Sequence, residues 1–93
     1  MQWLQSGRRR DLCVVLASAG ELRGQQLKSQ LESRYETRLE PRSFYDSLSA
    51  LVEAGLVEKR TEGVHDVYVL TDDGEKRLRE HYEWVRNCLE EGS

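Results

Sequence analysis

The chain has 93 residues, of which 38% are hydrophobic and 33% are charged, and its formal net charge is −3. This length predicts one small domain with a modest core, which a dimer interface would help to stabilise. No apolar run is long enough to cross a bilayer, and a weakly acidic chain can meet nucleic acid only through a local basic face.

The start of the chain resembles an export signal, because three arginines at 8–10 precede the apolar run 12–17. That run is shorter than the apolar part of most signals, Asp11 interrupts its start, and the same residues suit an amphipathic helix. We therefore expect a cytoplasmic protein. Cys13 and Cys88 are then expected to be reduced, partly buried thiols. A disulfide or a redox switch is the alternative.

The pattern of apolar residues predicts three helices in the first part of the chain. Helix 1 runs from about residue 8 to Ala19, and Gly20 ends it. Helix 2 covers about 23–35. Helix 3 covers about 41–54, with Pro41 in its first turn and Gly55 as its left-handed cap. Four apolar residues of helix 3 form one buried stripe: Phe44, Leu48, Leu51 and Val52.

Two strands and a last helix follow. The alternating residues at 56–61 and 66–70 predict a hairpin whose turn is 62–65. Thr71 caps helix 4, which runs to about Glu90. Its apolar residues repeat every three or four positions, as in a coiled-coil seam, with a second stripe of His81, Trp84 and Cys88 beside them. The seam consists of Leu78, Tyr82, Val85 and Leu89.

No motif predicts catalysis or a metal site. The sequence has no phosphate-binding glycine loop, no nucleophile elbow and no metal-ligand spacing. His65 and His81 are isolated in sequence, and we expect them to be a turn residue and a packing residue. The sequence therefore predicts a protein that is not an enzyme and that carries no cofactor and no metal.

The order helix, helix, hairpin, helix is typical of a winged helix-turn-helix, a mainly α fold with a small β-hairpin. In that fold the start of the recognition helix reads base edges in the major groove. The hairpin, or wing, contacts the DNA backbone or the minor groove. We expect residues 8–71 to form this DNA-binding domain after an extension at 1–7. Residues 72–93 are expected to form a dimerisation helix.

The candidate DNA contacts come from three elements. Arg42 suits guanine or phosphate, and Asp46 can accept from cytosine or repel wrong sites. The start of helix 2 offers backbone amides and side chains to phosphate. The wing, at about 59–66, carries two bases. An ordinary solvated surface is the alternative for each element. The full set is Arg42, Ser43, Tyr45, Asp46 and Ser49 of helix 3, Arg23, Gln25, Gln26 and Lys28 of helix 2, and Lys59 and Arg60 of the wing.

Four segments resemble, in order, the signatures of the PadR family of winged-helix transcriptional regulators. They are Leu-Arg-Gly-Gln-Gln-Leu at 22–27, Phe-Tyr-Asp-Ser-Leu at 44–48, Glu-Ala-Gly-Leu-Val at 53–57 and Tyr-Val-Leu-Thr-Asp-Asp-Gly at 68–74. The resemblance covers about residues 8–89. It implies a homodimer joined through the C-terminal helix that represses transcription from a palindromic operator.

The resemblance also implies roles for single residues. Tyr45 matches the recognition-helix tyrosine of the family, which contacts DNA. Gln25 stands where the family usually has a tyrosine, and Asp46 stands where it usually has a proline. Some members bind flat aromatic effectors beside a tryptophan of the last helix, and Trp84 lies in that helix. An ordinary interface aromatic is the alternative.

The sequence thus predicts a dimeric regulator whose partners are double-stranded DNA, a second copy of itself and, in one variant, a planar effector. The dimer interface is expected to use the helix 4 seam and Trp84, with Trp3 or Leu4 covering its edge. The acidic net charge favours another class of protein, a winged-helix protein-interaction module that binds no DNA. A regulator that responds to an effector or to oxidation is a further alternative.

Overall fold

The computed structural model describes residues 7–92, which form four helices and three short strands. In chain order these are α1 (Gly7–Ala19), β1 (Glu21–Arg23), α2 (Gly24–Tyr35), α3 (Pro41–Glu53), β2 (Val57–Glu62), β3 (His65–Leu70) and α4 (Asp72–Glu91). The predicted helices and hairpin are all present. Trp3 and Leu4 lie outside the described residues.

The core lies between the first three helices and the sheet. Its residues are spaced so that each helix turns one apolar stripe inward. Val52, Leu70 and Leu78 pack on its edge while partly exposed. The fully buried members are Leu12, Cys13, Leu16, Leu27, Leu31, Phe44, Leu48, Leu51 and Val57.

The sheet has one more strand than the sequence predicts. β1 pairs antiparallel with β3, which also pairs with β2, so the strand order is β1-β3-β2. Leu22 lies opposite Tyr68 in this register. Three residues are too few to show an alternating pattern, so only the pairing with β3 makes this segment a strand.

The hairpin turn is shorter than predicted. Glu62 and His65, both expected in the turn, are the last paired residues of β2 and β3. Gly63 and Val64 alone make the turn, with Gly63 at φ 63°. A two-residue hairpin turn needs a residue with positive φ, which glycine adopts without steric cost.

The corner between α3, β2 and α4 is closed by Thr71. Its Oγ1 accepts from the amide of Gly74 at 3.0 Å, which caps α4, and donates to the carbonyl of Gly55 at 2.7 Å. Its own amide donates to the carbonyl of Leu56 at 3.0 Å. One threonine thus ties the end of α3 to the start of α4.

The two cysteines differ more than predicted. Both are free, but Cys13 is completely buried whereas Cys88 is exposed on α4. Burial raises the pKa of the Cys13 thiol to about 12, which leaves almost no reactive thiolate at neutral pH.

The connection between α2 and α3 is held by the carboxylate of Glu32. Its Oε2 accepts from Lys28 Nζ at 2.9 Å and from the amide of Leu39 at 2.8 Å. The Leu39 amide, followed by Lys28, lowers the pKa of Glu32. This carboxylate therefore helps to set the spacing of the two helices.

We expect Glu32→Gln to remove a pH-dependent part of the stability. Because the pKa is lower in the folded state, the ionised group stabilises the fold fully above its ordinary value of 4.5. That contribution is lost as the pH falls through the folded-state pKa. Urea unfolding should find Glu32→Gln less stable than wild type near pH 7, with a smaller difference near about pH 3.5. Glu53→Gln, an exposed control, should show no such trend, and an unchanging difference for Glu32→Gln would contradict the role.

Candidate nucleic-acid interface

The exposed side of α3 presents the predicted reading residues at its N-terminal half. Arg42, Asp46 and Ser49 are exposed, and Tyr45 is 39% exposed. The Tyr45 ring packs edge-on against buried Phe44, with ring centroids 4.9 Å apart. The core therefore fixes the base of the Tyr45 side chain and leaves its outer edge open.

Ser43 differs from these residues. It is half-buried, and its Oγ accepts from Arg8 Nη1 at 2.6 Å. Its carbonyl accepts from Ser47 Oγ at 3.2 Å. The Ser43 hydroxyl thus joins α1 to the first turn of α3, so one arginine of the 8–10 cluster positions the helix.

A cleft of about 330 Å³ lies between the start of α2, the side of α3 and the wing, which is the hairpin of β2 and β3. Gly24 forms its floor. A Cβ built on Gly24 would lie 3.0 Å from the ring and hydroxyl of Tyr45 and 3.3 Å from the ring of Tyr68. A larger residue at this position would push the two tyrosines away from α2 by a few tenths of an ångström. The lining residues are Arg23, Gly24, Gln25, Gln26, Tyr45, Val64, His65, Asp66 and Tyr68.

Arg23 links α2 to the wing across this cleft. Its Nη1 lies 3.3 Å from Nε2 of His65, and its amide donates to Gln26 Oε1 at 3.0 Å. A guanidinium can only donate, so Nε2 of His65 is the acceptor in this contact. The wing turn is therefore held against the start of α2.

The structure does not bring all the predicted contacts together. Gln25 and Gln26 line the cleft, but Lys28 does not, because its ammonium is paired with Glu32 at 2.9 Å and its side chain is only 19% exposed. This ion pair directs the Lys28 charge toward the connection between α2 and α3.

The two bases of the wing lie on opposite faces of the sheet. Lys59 is opposite Tyr68, whose side chain is on the cleft side, whereas Arg60 is opposite Val67. Neighbouring residues of a strand point to opposite faces. Arg60 is paired with Glu58 at 3.1 Å and with Glu21 at 3.9 Å on the outer face. Of the two bases, Lys59 has the better position to meet DNA held against α3.

Helix α4 carries large apolar side chains that the single chain leaves uncovered. Tyr82, Trp84 and Leu89 are 59%, 60% and 71% exposed. Leu78 and Val85 are half-buried and line, with Val14, an apolar groove of about 720 Å³ between α1 and α4. Leu78 also packs on the core of its own chain.

His81 lies in the same groove. Its ring is 5.7 Å from that of Trp84, and desolvation, followed by the charge of Arg10, lowers the pKa of His81. His81 is thus a packing residue next to the exposed tryptophan, as the sequence predicts.

Within residues 7–92, no three histidine, cysteine or acidic side chains are grouped so that they could hold a metal ion. None of the four helices is long and apolar enough to cross a bilayer.

The model of the transcriptional regulator PadR-like family matches residues 12–80. The chain belongs to the PadR-like family. The resemblance seen in the sequence is thereby confirmed, and the chain is a transcriptional regulator rather than an enzyme. No curated protein sequence matches the chain.

Solved structures share the fold of this chain. RosR of H. salinarum is 26% identical, with a TM-score of 0.85 over 91% of this chain and 77% of RosR. The homodimeric winged helix-turn-helix DNA-binding domain of Mb0332 from Mycobacterium bovis is 25% identical, with a TM-score of 0.73 over 99% of this chain and 79% of that domain. A winged-helix DNA-binding protein from STIV shares the fold at 19% identity, with a TM-score of 0.69 over 84% and 85% of the two chains. The predicted winged-helix fold is confirmed.

The two departures from the PadR signatures both lie on the open surface. Gln25, in place of the helix 2 tyrosine, is exposed beside the cleft, and Asp46, in place of the proline, is exposed one residue after Tyr45. Sequence reasoning missed Gly24 and Tyr68 as members of this surface. Gly24 and Tyr68 stood inside recognised segments, but only the packing of α2 on β3 brings them to Tyr45.

Proposed function

We propose that the chain is a homodimeric repressor of transcription that binds a palindromic operator and works in the cytoplasm. Residues 8–71 bind DNA, and residues 72–93 join the two copies. The observation that carries the proposal is the continuous surface formed by the exposed start of α3, the start of α2 and the wing. On it Tyr45 of α3, the first residues of α2 and Tyr68 of the wing line one cleft.

On this surface α3 enters the major groove. Arg42 reaches a guanine or a phosphate, Tyr45 and Ser49 offer hydroxyls, and Asp46 rejects sites that place a phosphate or a base acceptor beside it. Ser43 fixes the first turn of α3 through Arg8. The backbone is held by Arg23, Gln25 and Gln26 on one side of the helix and by Lys59 on the other. Lys28 and Arg60 contribute only where DNA competes with their acidic partners.

Two copies pair through α4, because a pair of chains would cover the apolar side chains that one chain leaves exposed. Tyr82, Val85 and Leu89, together with Leu78 at the base of the groove, form the seam. Trp84 lies at its side, and Trp3 and Leu4 are proposed to cover the edge. The Mb0332 domain, which is homodimeric, gives a precedent for a dimer.

A salt titration tests the proposal. Binding to the DNA upstream of the coding sequence is compared with binding to a random duplex of the same length. A repressor of this kind should prefer the upstream DNA, and its affinity should fall steeply as salt rises, since phosphate contacts release counterions. Absence of binding to either duplex at low salt would favour the protein-interaction module, which the net charge of −3 supports.

We expect Arg42→Ala to weaken binding to the upstream DNA by about tenfold or more, because one base or phosphate contact is lost. The dimer should stay intact, since Arg42 is exposed on α3. Arg34→Ala, which removes an equal charge near the far end of α2, is the control. Fluorescence anisotropy measures the affinity of both variants for the upstream DNA. Equal losses of affinity would show that binding depends only on the total charge of the protein.

The exposed ring of Trp84 beside His81 supports a second candidate property, a planar aromatic effector bound near the dimer interface. Exposed Cys88, rather than buried Cys13, is the thiol that an oxidant would reach. Quenching of Trp84 fluorescence by a flat dye, followed by DNA binding with and without the dye, tests the effector. DNA binding before and after mild oxidation, with Cys88→Ser as control, tests the redox variant.

A further inference from the structure

Tyr68 is a buried residue whose hydroxyl has no hydrogen-bond partner among residues 7–92. The residue is 7% exposed. Burial, followed by the nearby charge of Asp66, raises the pKa of this phenol, so it remains a donor at neutral pH. Buried hydroxyls are normally satisfied, and one without a partner costs free energy. The residue lines the cleft between α2, α3 and the wing.

Around Tyr68 in this cleft, Arg23 and the Tyr45 hydroxyl supply donors, whereas Asp66 supplies an acceptor. A Cβ built on Gly24 would lie 3.0 Å from the Tyr45 hydroxyl, and Arg23 lines the cleft with its guanidinium against His65. The amides of Gly24 and Gln25 lie in the first turn of α2, where no helical hydrogen bond uses them, and the positive end of the helix dipole lies there too. Such a set of donors fits an anion with several acceptor oxygens.

Two side chains of the wing complete the lining. His65 Nε2 accepts from Arg23 at 3.3 Å. The negative charge of Asp66 repels an anion, although its Oδ1 already accepts a hydrogen bond from Thr61 Oγ1 at 3.2 Å. The cleft, of about 330 Å³, has room for one phosphate group and lies beside the helix that faces DNA.

We propose that this cleft binds one phosphodiester of the DNA backbone and that Tyr68, through its hydroxyl, is one of the donors. The inference rests on the proposed function and adds a site to it. Arg23 supplies the charge, the first-turn amides of α2 and the Tyr45 hydroxyl surround the phosphate, and Tyr68 reaches it from the wing. Gly24 keeps the floor of the cleft open.

The first experiment compares Tyr68→Phe with Tyr35→Phe. Tyr68→Phe should lower DNA affinity by about tenfold, the usual loss for a hydrogen bond to a charged group. It should leave the melting temperature unchanged or higher, because the lost hydroxyl had no partner. Tyr35 lies at the far end of α2, and Tyr35→Phe removes its hydroxyl, which donates to Asp11 of α1. This control should lower the melting temperature and leave DNA affinity unchanged. Wild-type affinity in Tyr68→Phe would overturn the site.

The second experiment separates charge from hydrogen bonding. Arg23→Gln should reduce the slope of log affinity against log salt by about one, whereas Tyr68→Phe should weaken binding with the slope unchanged. Neutral methylphosphonate links, placed singly along the upstream DNA, should include one position per half-site that weakens wild type but not Tyr68→Phe. The absence of any such position would contradict a direct contact.

The outcomes distinguish this site from the wider proposal. If wild type binds no DNA, the proposed function itself fails. If wild type binds DNA and Tyr68→Phe binds it equally well, only the phosphate site fails. If Tyr68→Phe weakens the binding of inorganic phosphate, followed by nuclear magnetic resonance, but leaves DNA affinity unchanged, the cleft serves a free anion and the DNA contact is overturned.

Discussion

We expect Gly74→Ala to lower the free energy of unfolding by about 2 kcal/mol and the melting temperature by roughly 10 °C. Gly74 is buried in the first turn of α4, and a Cβ built on it would lie 2.1 Å from the carbonyl oxygen of Leu56 and 2.8 Å from Leu70 Cδ1. The nearer atom belongs to the backbone, so it cannot turn aside. Helix α4 would have to move away from the corner that Thr71 closes.

The sign of this effect follows from two opposing contributions. Alanine in place of glycine favours a helix by at most about 1 kcal/mol, whereas overpacking against a fixed group costs about 3 kcal/mol. Gly7→Ala is the matched control, since its Cβ would lie 3.4 Å from Arg10 Nη2, the end of a flexible side chain. Thermal unfolding followed by circular dichroism should show a loss for Gly74→Ala only. Equal melting temperatures for the two variants would mean that the backbone at Leu56 can shift to make room for the added Cβ at little cost in free energy.

Replacing Tyr82 and Leu89 together by glutamate should give a folded monomer that binds the upstream DNA at least about a hundredfold more weakly. The two side chains are 59% and 71% exposed, so the single chain does not depend on them. In a dimer they are proposed to meet the partner helix, where buried unpaired charges are strongly disfavoured. A monomer also loses the gain from binding two half-sites at once.

Lys76→Glu is the control for this pair. It changes the net charge of α4 by the same two units but lies on the opposite side of the helix. Sedimentation should find monomers only for the double variant, with unchanged circular dichroism for both proteins. A dimer that survives Tyr82→Glu with Leu89→Glu would refute the proposed seam. Leu78 is unsuitable for this test, because it packs on the core of its own chain.

The sequence predicted those parts of the fold that follow from local chemistry. The stripe of Phe44, Leu48 and Leu51, the glycine at 55 and the cap at Thr71 each act within a few residues, and all three are present. Strand β1 could not be predicted, because only its pairing with β3 makes it a strand. The two segments 53–57 and 68–74 were recognised separately, whereas their contact through Thr71 and Gly74 depends on the tertiary fold.

The candidate site was predicted less completely, for the same reason. Residue type and position were enough to place Arg42 and Tyr45 on the exposed side of α3. They could not show that the Ser43 hydroxyl holds Arg8 or that Lys28 is paired with Glu32. These facts depend on which charged neighbour lies within reach. The donor role of Tyr68 depends on a missing partner, which no spacing of residues reveals.

The contact between Gly24 and Tyr45 has a consequence for redesigning the protein. A recognition helix is often treated as a cassette that can be moved between scaffolds to change the DNA sequence read. Here the ring at position 45 occupies the space that a side chain on residue 24 would fill. A transplanted α3 with this tyrosine therefore fits best in a recipient with glycine at the start of the preceding helix. Conversely, a library that varies position 45 should vary position 24 with it.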